Sequence, residues 1–208
     1  GNVYVTVVSE GSGFLISYSY TTIKYNAVGD TVWVRSYNGG ANHSDHTPAL
    51  AVDDSGNVYV TGYVTIKYNS VGDTMWVRPY IGGPGGSATS LEIDAEGNVY
   101  VTGWRVTYFS PSGISYEYCT IKYNSNGDTL WVRRYNGPGN DYDYAASLAV
   151  DGSGNVYVTG SSLGSGSPYD YATIKYNSNG DTIWVRRYKG PADYEDFANT
   201  LAVDGSGN

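Results

Sequence analysis

Residues 120–133 read Thr120-Ile121-Lys122-Tyr123-Asn124-Ser125-Asn126-Gly127-Asp128-Thr129-Leu130-Trp131-Val132-Arg133. Two short runs rich in β-branched and aromatic residues flank an Asn-Gly pair, the pattern of two antiparallel strands joined by a tight turn. The same string, with few changes, begins again at Thr22, Thr65 and Thr173. Downstream of each copy lies a Leu-Ala-Val-Asp segment, at Leu50, Leu148 and Leu201, which becomes Leu-Glu-Ile-Asp at Leu91. Upstream lies Gly-Asn-Val-Tyr-Val-Thr, at Gly1, Gly56, Gly97 and Gly154, and Gly207-Asn208 opens it once more. The spacings of that string are 55, 41, 57 and 53 residues, the range of solenoids and propellers.

The chain therefore divides into copies at 1–55, 56–96, 97–153 and 154–206, with 207–208 starting a further one. Each copy holds four short segments bounded by Gly, Asn, Asp and Ser, which predicts four strands. Gly152-Ser153-Gly154-Asn155 joins a fourth segment to the next copy's first, so two kinds of hairpin alternate along the chain. Side chains alternate across a strand: Trp131 and Arg133 point one way, Leu130 and Val132 the other. Apolar groups on both faces require each sheet to lie between neighbours, because a lone four-stranded sheet cannot bury both. The reading is an all-β fold of tandem four-stranded antiparallel repeats. They are β-propeller-type blades, forming a complete small ring or part of a larger propeller or array. Trp33, Trp76, Trp131 and Trp184 are expected at equivalent buried positions as the structural repeat core.

Composition agrees. Glycine supplies 28 of 208 residues and tyrosine 23, against 1 methionine, which suits tight turns and pleated strands more than helices. The net charge of −8 disfavours nucleic acid as a partner, since phosphates would be repelled. No apolar run is long enough to span a membrane as a helix. Cys119 is the single cysteine and sits in the slot held by Thr21, Val64 and Ala172, so it reads as a small core residue.

Tyr171-Ala172-Thr173-Ile174-Lys175-Tyr176-Asn177-Ser178-Asn179-Gly180-Asp181-Thr182-Ile183-Trp184-Val185-Arg186, followed by Leu201-Ala202-Val203-Asp204-Gly205-Ser206-Gly207-Asn208, resembles the bacterial β-propeller repeat called SBBP. The Leu-Ala-Val-Asp half also resembles NHL repeats, and the Asn-Gly-Asp-Thr-x-Trp half resembles the repeats of quinoprotein propellers. The SBBP resemblance implies a secreted or cell-surface bacterial protein and carries no catalytic residues with it. Two copies depart from the pattern. Copy two has almost nothing between Gly62 and Thr65, and copy three carries an apolar insertion from Trp104 to Ser115.

Candidate chemistry is sparse. A residue that recurs in every copy serves each copy's fold, whereas an active site needs asymmetry. Lys24, Lys67, Lys122 and Lys175 recur, as do Arg35, Arg78, Arg133 and Arg186; they read as stems and cations laid over aromatics. Asp53, Asp94, Asp151 and Asp204 precede the Gly-rich turn and suit turn amides; calcium there lacks the ligand spacing of a calcium loop. Asp141, Asp143, Asp193, Glu195 and Asp196 are the acidic loop residues that a metal would use. His43, Asp45 and His46 stand in the corresponding loop of copy one. No nucleophile elbow, phosphate loop or zinc-protease motif is present. The chain is expected to be no enzyme and to need no cofactor. It reads as a structural or interaction scaffold, with a ligand- or glycan-binding propeller using Trp104 and Tyr108 as the alternative and a quinoprotein-like enzyme behind that.

Residues 207–208 repeat residues 1–2, so strand 3–7 is expected to lack a preceding partner and segment 201–204 a following one. Ring closure or head-to-tail joining of copies of the chain would satisfy both, the latter giving a filament. The opening Gly-Asn in place of methionine fits a mature product or an excerpt of a longer chain.

Asp-Thr-apolar recurs with Thr31, Thr74, Thr129 and Thr182, and resembles an O-glycosylation signal of secreted bacterial proteins. Intact-mass measurement of natively produced protein is expected to show sugar additions on one or more of these threonines. The unmodified mass would end that reading.

Overall fold

The computed structural model describes residues 1–10, 17–41, 49–80, 85–110, 113–165, 169–191 and 194–204. Among these residues there are fifteen strands and no helix. The first sheet holds β1 (Val3–Glu10), β2 (Ser17–Tyr25) and β3 (Thr31–Ala41). The second holds β4 (Ala49–Val52), β5 (Val58–Thr61), β6 (Val64–Tyr68) and β7 (Thr74–Pro79). The third holds β8 (Ser87–Ile93), β9 (Val99–Ser110), β10 (Gly113–Tyr123) and β11 (Thr129–Tyr135). The fourth holds β12 (Asp143–Val150), β13 (Val156–Leu163), β14 (Tyr169–Tyr176) and β15 (Thr182–Tyr188). All four are antiparallel meanders in chain order, the form of propeller blades.

Each four-stranded sheet starts on the Leu-Ala-Val segment, the last segment of the preceding copy. The two kinds of turn explain this phase. In one, Asp53 Oδ1 accepts the amides of Ser55 and Asn57 while Asn57 Nδ2 donates to Asp53 Oδ2, closing β4 tightly onto β5. In the other, the roles reverse: Asn69 Oδ1 accepts the amides of Val71 and Asp73, and Asn69 Nδ2 donates to Asp73 Oδ2. Both are Asx-type turns, and both place a glycine at positive φ, Gly56 at 77° and Gly72 at 89°. After the Trp-Val-Arg strand the chain crosses to the next sheet.

Burial is organised between sheets. Val58, Val60, Ile66 and Tyr68 of the second sheet pack with Tyr20 and Trp33 of the first. The opposite face of the second sheet sends Tyr59 and Trp76 against Val99, Val101, Ile121 and Tyr123 of the third. The third repeats the move, with Tyr100 and Trp131 against Val156, Val158, Ile174 and Tyr176 of the fourth. Three interlayer cores thus hold four sheets, as the alternation in Val-Tyr-Val requires. Cys119 is buried in the middle layer, and burial pushes its thiol up to about 11, a rise that a hydrogen bond from Tyr80 tempers, so the group is inert at neutral pH.

Two expectations change in detail. The outer strands do not bury both faces: Val32, Met75, Leu130 and Ile183 stay exposed because the strand carrying each lies at its sheet's outer edge. Trp33, Trp76 and Trp131 are buried, with 6%, 7% and 8% of their surface open, but Trp184 is only half-buried because, among the described residues, no further sheet lies over it. The insertion from Trp104 to Ser115 is a lengthening of the β9–β10 hairpin, and the short second copy joins β5 to β6 through Gly62 and Tyr63 alone.

The sheets do not close into a ring. Among the described residues β1 pairs only with β2, and Leu201 to Asp204 lie in no strand. Gly207-Asn208 fall outside the described residues.

Trp76→Ala or Trp131→Ala is expected to destabilise the chain by about 3–5 kcal/mol, the cost of emptying a buried aromatic site. Trp184→Ala should cost clearly less. Denaturant midpoints of the three variants, read at unchanged slope, check the order.

Candidate functional site

The most repeated geometry in the molecule is a clamp between neighbouring sheets. Trp33 Nε1 and Lys24 Nζ of the first sheet both donate to the Ser70 carbonyl, in the turn between β6 and β7. Arg35 Nε donates to the Gly72 carbonyl at 2.6 Å and its Nη2 to that of Val71. The second sheet does the same to the third: Trp76 and Lys67 to Ser125, Arg78 to Gly127 and Asn126. The third does the same to the fourth: Trp131 and Lys122 to Ser178, Arg133 to Gly180 and Asn179.

Aromatic contacts lock the donors. The guanidinium carbons of Arg35, Arg78 and Arg133 sit 5.9, 5.9 and 5.8 Å from the ring centroids of Trp33, Trp76 and Trp131. The ammonium groups of Lys24, Lys67 and Lys122 lie over Tyr4, Tyr59 and Tyr100. Trp33, Trp76 and Trp131 are each held between a tyrosine of their own sheet and one of the next, as Trp76 is by Tyr59 at 6.2 Å and Tyr123 at 6.1 Å. The glycine in the clamped turn leaves room for the indole. A Cβ on Gly72, Gly127 or Gly180 would come within 3.0, 2.8 or 2.9 Å of that ring. In the first three sheets the recurring cations are therefore spent on holding one sheet to the next.

The carboxylates of the other turn are also engaged. Asp53 and Asp151 each accept from an asparagine, from two turn amides and from a tyrosine hydroxyl, Tyr59 or Tyr157. Burial alone would raise both carboxyls, but these hydrogen bonds outweigh it and hold them below the usual range. A cleft of about 480 Å³ runs between the Asp53 and Asp94 turns, lined also by Asp54, Glu96 and Lys67.

The acidic loop residues act as staples. Gly137 N donates to Asp143 Oδ2, and Gly190 N donates to Asp196 Oδ2, the same contact in two copies. Asp143 is buried; burial raises its carboxyl, and nearby Ser162, the Gly137 amide and Arg187 hold the rise in check. Among the described residues no group of three or more His, Cys, Asp and Glu side chains is arranged to hold a metal ion. Asp141 takes part through its carbonyl, which accepts from Tyr116 N, and Glu195 is exposed. Asp193, His43, Asp45 and His46 lie outside the described residues.

Trp104 is drawn into an aromatic cluster at the end of the long hairpin. Its ring meets Tyr116 edge-on at 5.0 Å and Tyr144 at 5.9 Å, and Tyr142 stacks beyond. Trp104, Tyr144 and Phe197, with Thr89, Ser161 and Asn199, line a cavity of about 430 Å³. The side chain of Tyr108 lies outside the described residues. Thr31, Thr74, Thr129 and Thr182 are all exposed at the start of outer strands.

The sequence reading missed the clamp's acceptors, which are backbone carbonyls, and missed Tyr116, Tyr142, Tyr144 and Phe197 around Trp104. The recurrence of a Ser or Ala two residues before each turn glycine was the only trace of the former.

Stacked antiparallel blades clamped in series define a tandem β-propeller-repeat protein. The model of the SBBP family, a β-propeller repeat, matches the chain over residues 32–64 and 130–166. Each matched stretch runs from a clamping strand, with Trp33 and Arg35 or Trp131 and Arg133, across the crossover into the next sheet. No curated protein matches the chain.

Because Asp151 has a lowered carboxyl, its ionised form stabilises the fold fully above the unfolded value, about pH 4, and that contribution is lost as pH falls through the lowered folded value. Asp151→Asn is expected to be less stable than the parent at neutral pH and to lose less on acidification. Chemical denaturation across that pH range measures the difference in slope.

Proposed function

We propose that the chain is a non-catalytic scaffold of bacterial cell surfaces, secreted and built from β-propeller repeats, that joins copies of itself into a fibre or array. One observation carries this reading: the polar and charged residues that recur are committed, three times over, to holding one sheet against the next. A catalytic centre needs a set of groups that differs from copy to copy and is not consumed in packing. The secreted, bacterial setting rests on the SBBP resemblance, and exposed Asp-Thr positions on every outer strand fit a glycosylated exterior. The cavity beside Trp104 favours a second reading, a glycan-binding propeller, because sugars stack on aromatic walls and hydrogen-bond to groups such as Ser161 and Asn199.

Labelling of intact native cells, followed by imaging of the released material, tests the first reading. Extended assemblies at the cell surface are expected. Discrete single-chain particles inside the cell would overturn it, and glycan-array binding lost in Trp104→Ala would favour the second.

A further inference from the structure

Four Asn-Gly pairs stand in the sequence: Asn38-Gly39, Asn126-Gly127, Asn136-Gly137 and Asn179-Gly180. A glycine after asparagine favours loss of the side-chain amide, because its nitrogen can reach the asparagine Cγ with no side chain in the way. Two of the four sit in clamped turns, where the first two copies carry Val28-Gly29 and Val71-Gly72. Asn126 and Asn179 are exposed there, and among the described residues their side-chain amides make no hydrogen bond. The other two pairs are held differently. Asn136 Nδ2 donates to Asn140 Oδ1 at 3.0 Å while Gly137 N donates to Asp143 Oδ2, and Asn38 is paired with Ser19 inside the first sheet.

In the clamped turns the side chain is free but the attacking nitrogen is restrained. Gly127 N donates to the Asn124 carbonyl at 2.9 Å, and Gly180 N to that of Asn177 at 2.8 Å. Both glycines are buried under an indole, Trp76 or Trp131, and hold φ at 80° and 83°. Arg78 fixes the carbonyls on either side, donating from Nε to Gly127 and from Nη2 to Asn126. Arg133 does the same to Gly180 and Asn179.

We propose that Asn126 and Asn179 are sites of spontaneous deamidation and that the clamp over each turn sets its rate. The glycine nitrogen loses its proton to hydroxide and bonds to the asparagine Cγ, the Cγ–Nδ2 bond breaks, and ammonia leaves. Water then opens the five-membered succinimide. Opening at Cγ leaves aspartate; opening at the asparagine's main-chain carbonyl carbon leaves isoaspartate, with the chain running through Cγ. Asparagine and water become an acid and ammonia, and nothing is oxidised or reduced. Ring closure takes the glycine N–H out of its turn bond and rotates the Asn-Gly peptide. The indole and guanidinium oppose both movements, so the reaction proceeds from the opened junction. The carbonyl that Arg78 or Arg133 grips from Nη2 is the one spent on the isoaspartate route, and the added backbone carbon shifts the glycine carbonyl away from Nε. A junction that has reacted in this way no longer presents the acceptors its clamp fits. This chemistry does not depend on what the chain serves.

Incubation of the whole folded chain in mildly alkaline buffer tests it, with peptide mapping by mass spectrometry that tells isoaspartate from aspartate. In the parent, conversion is expected at Asn126 and Asn179 ahead of Asn136. Arg78→Ala strips the charged donor from one turn and should speed conversion at Asn126 at least about tenfold, with Asn179 in the same molecules unchanged. Arg133→Ala should do the reverse, so each variant guards the other against a general loss of fold. Arg78→Lys keeps a cation by the indole without the forked donor, and takes the place of Arg78→Ala if that chain does not fold. Equal rates at Asn126 in the parent and the Arg78 variant, or acceleration at both asparagines in folded variants, would overturn control by the clamp. A folded parent that converts Asn136 first, or gains no acid at Asn126 and Asn179, would overturn the sites themselves.

Discussion

Everything in this molecule depends on a side chain of one sheet reaching a backbone turn of the next. The tryptophan of the outer strand in each of the first three sheets fills the space over a turn glycine, and the arginine two residues on reads the two carbonyls beside it. The indole needs the next sheet's tyrosine to leave water, and the turn needs a donor over its carbonyls once the sheets are stacked. Because the arginine is stacked on the indole, the two are placed together, and little side-chain freedom remains to be lost when the turn arrives.

The inner strands add a second line of attachment, less regular than the first. Thr89 Oγ1 donates to the Ala145 carbonyl at 2.8 Å, and Glu92 Oε2 accepts from Val150 N at the same distance. Glu92 replaces the alanine found in the other copies of Leu-Ala-Val-Asp, so one of the two departures in that motif bridges the third and fourth sheets. Opposite the bulges at Ala88 and Ala145 stand Gly103 and Gly160, where a Cβ would come within about 2 Å of a carbonyl oxygen. The third and fourth sheets share this device.

The strands, hairpins and interlayer faces were legible because they are written in residue types that repeat: valine for one face, tyrosine and tryptophan for the other, asparagine and aspartate for the turns. The clamp's acceptors were not, since a carbonyl belongs to every residue and leaves no mark in sequence. Trp184 reads like Trp33, Trp76 and Trp131 because its own strand is the same; its exposure is decided by what lies across from it. The aromatic group around Trp104 gathers residues from three strands and the segment near Phe197, a convergence that only the stacking of the third and fourth sheets creates. The Trp104 to Ser115 insertion looked like an excursion, but alternating apolar and polar residues let it simply continue the hairpin.

The acceptors being main-chain has one further consequence. The side chains at the two positions before the turn glycine, Ser70 and Val71 in one copy and Ser178 and Asn179 in another, do not enter the recognition at all. The clamp itself therefore makes no demand on those two side chains. In a gene made of such units these turn positions are free to drift toward whatever their surroundings select, while the glycine, the tryptophan and the arginine are not.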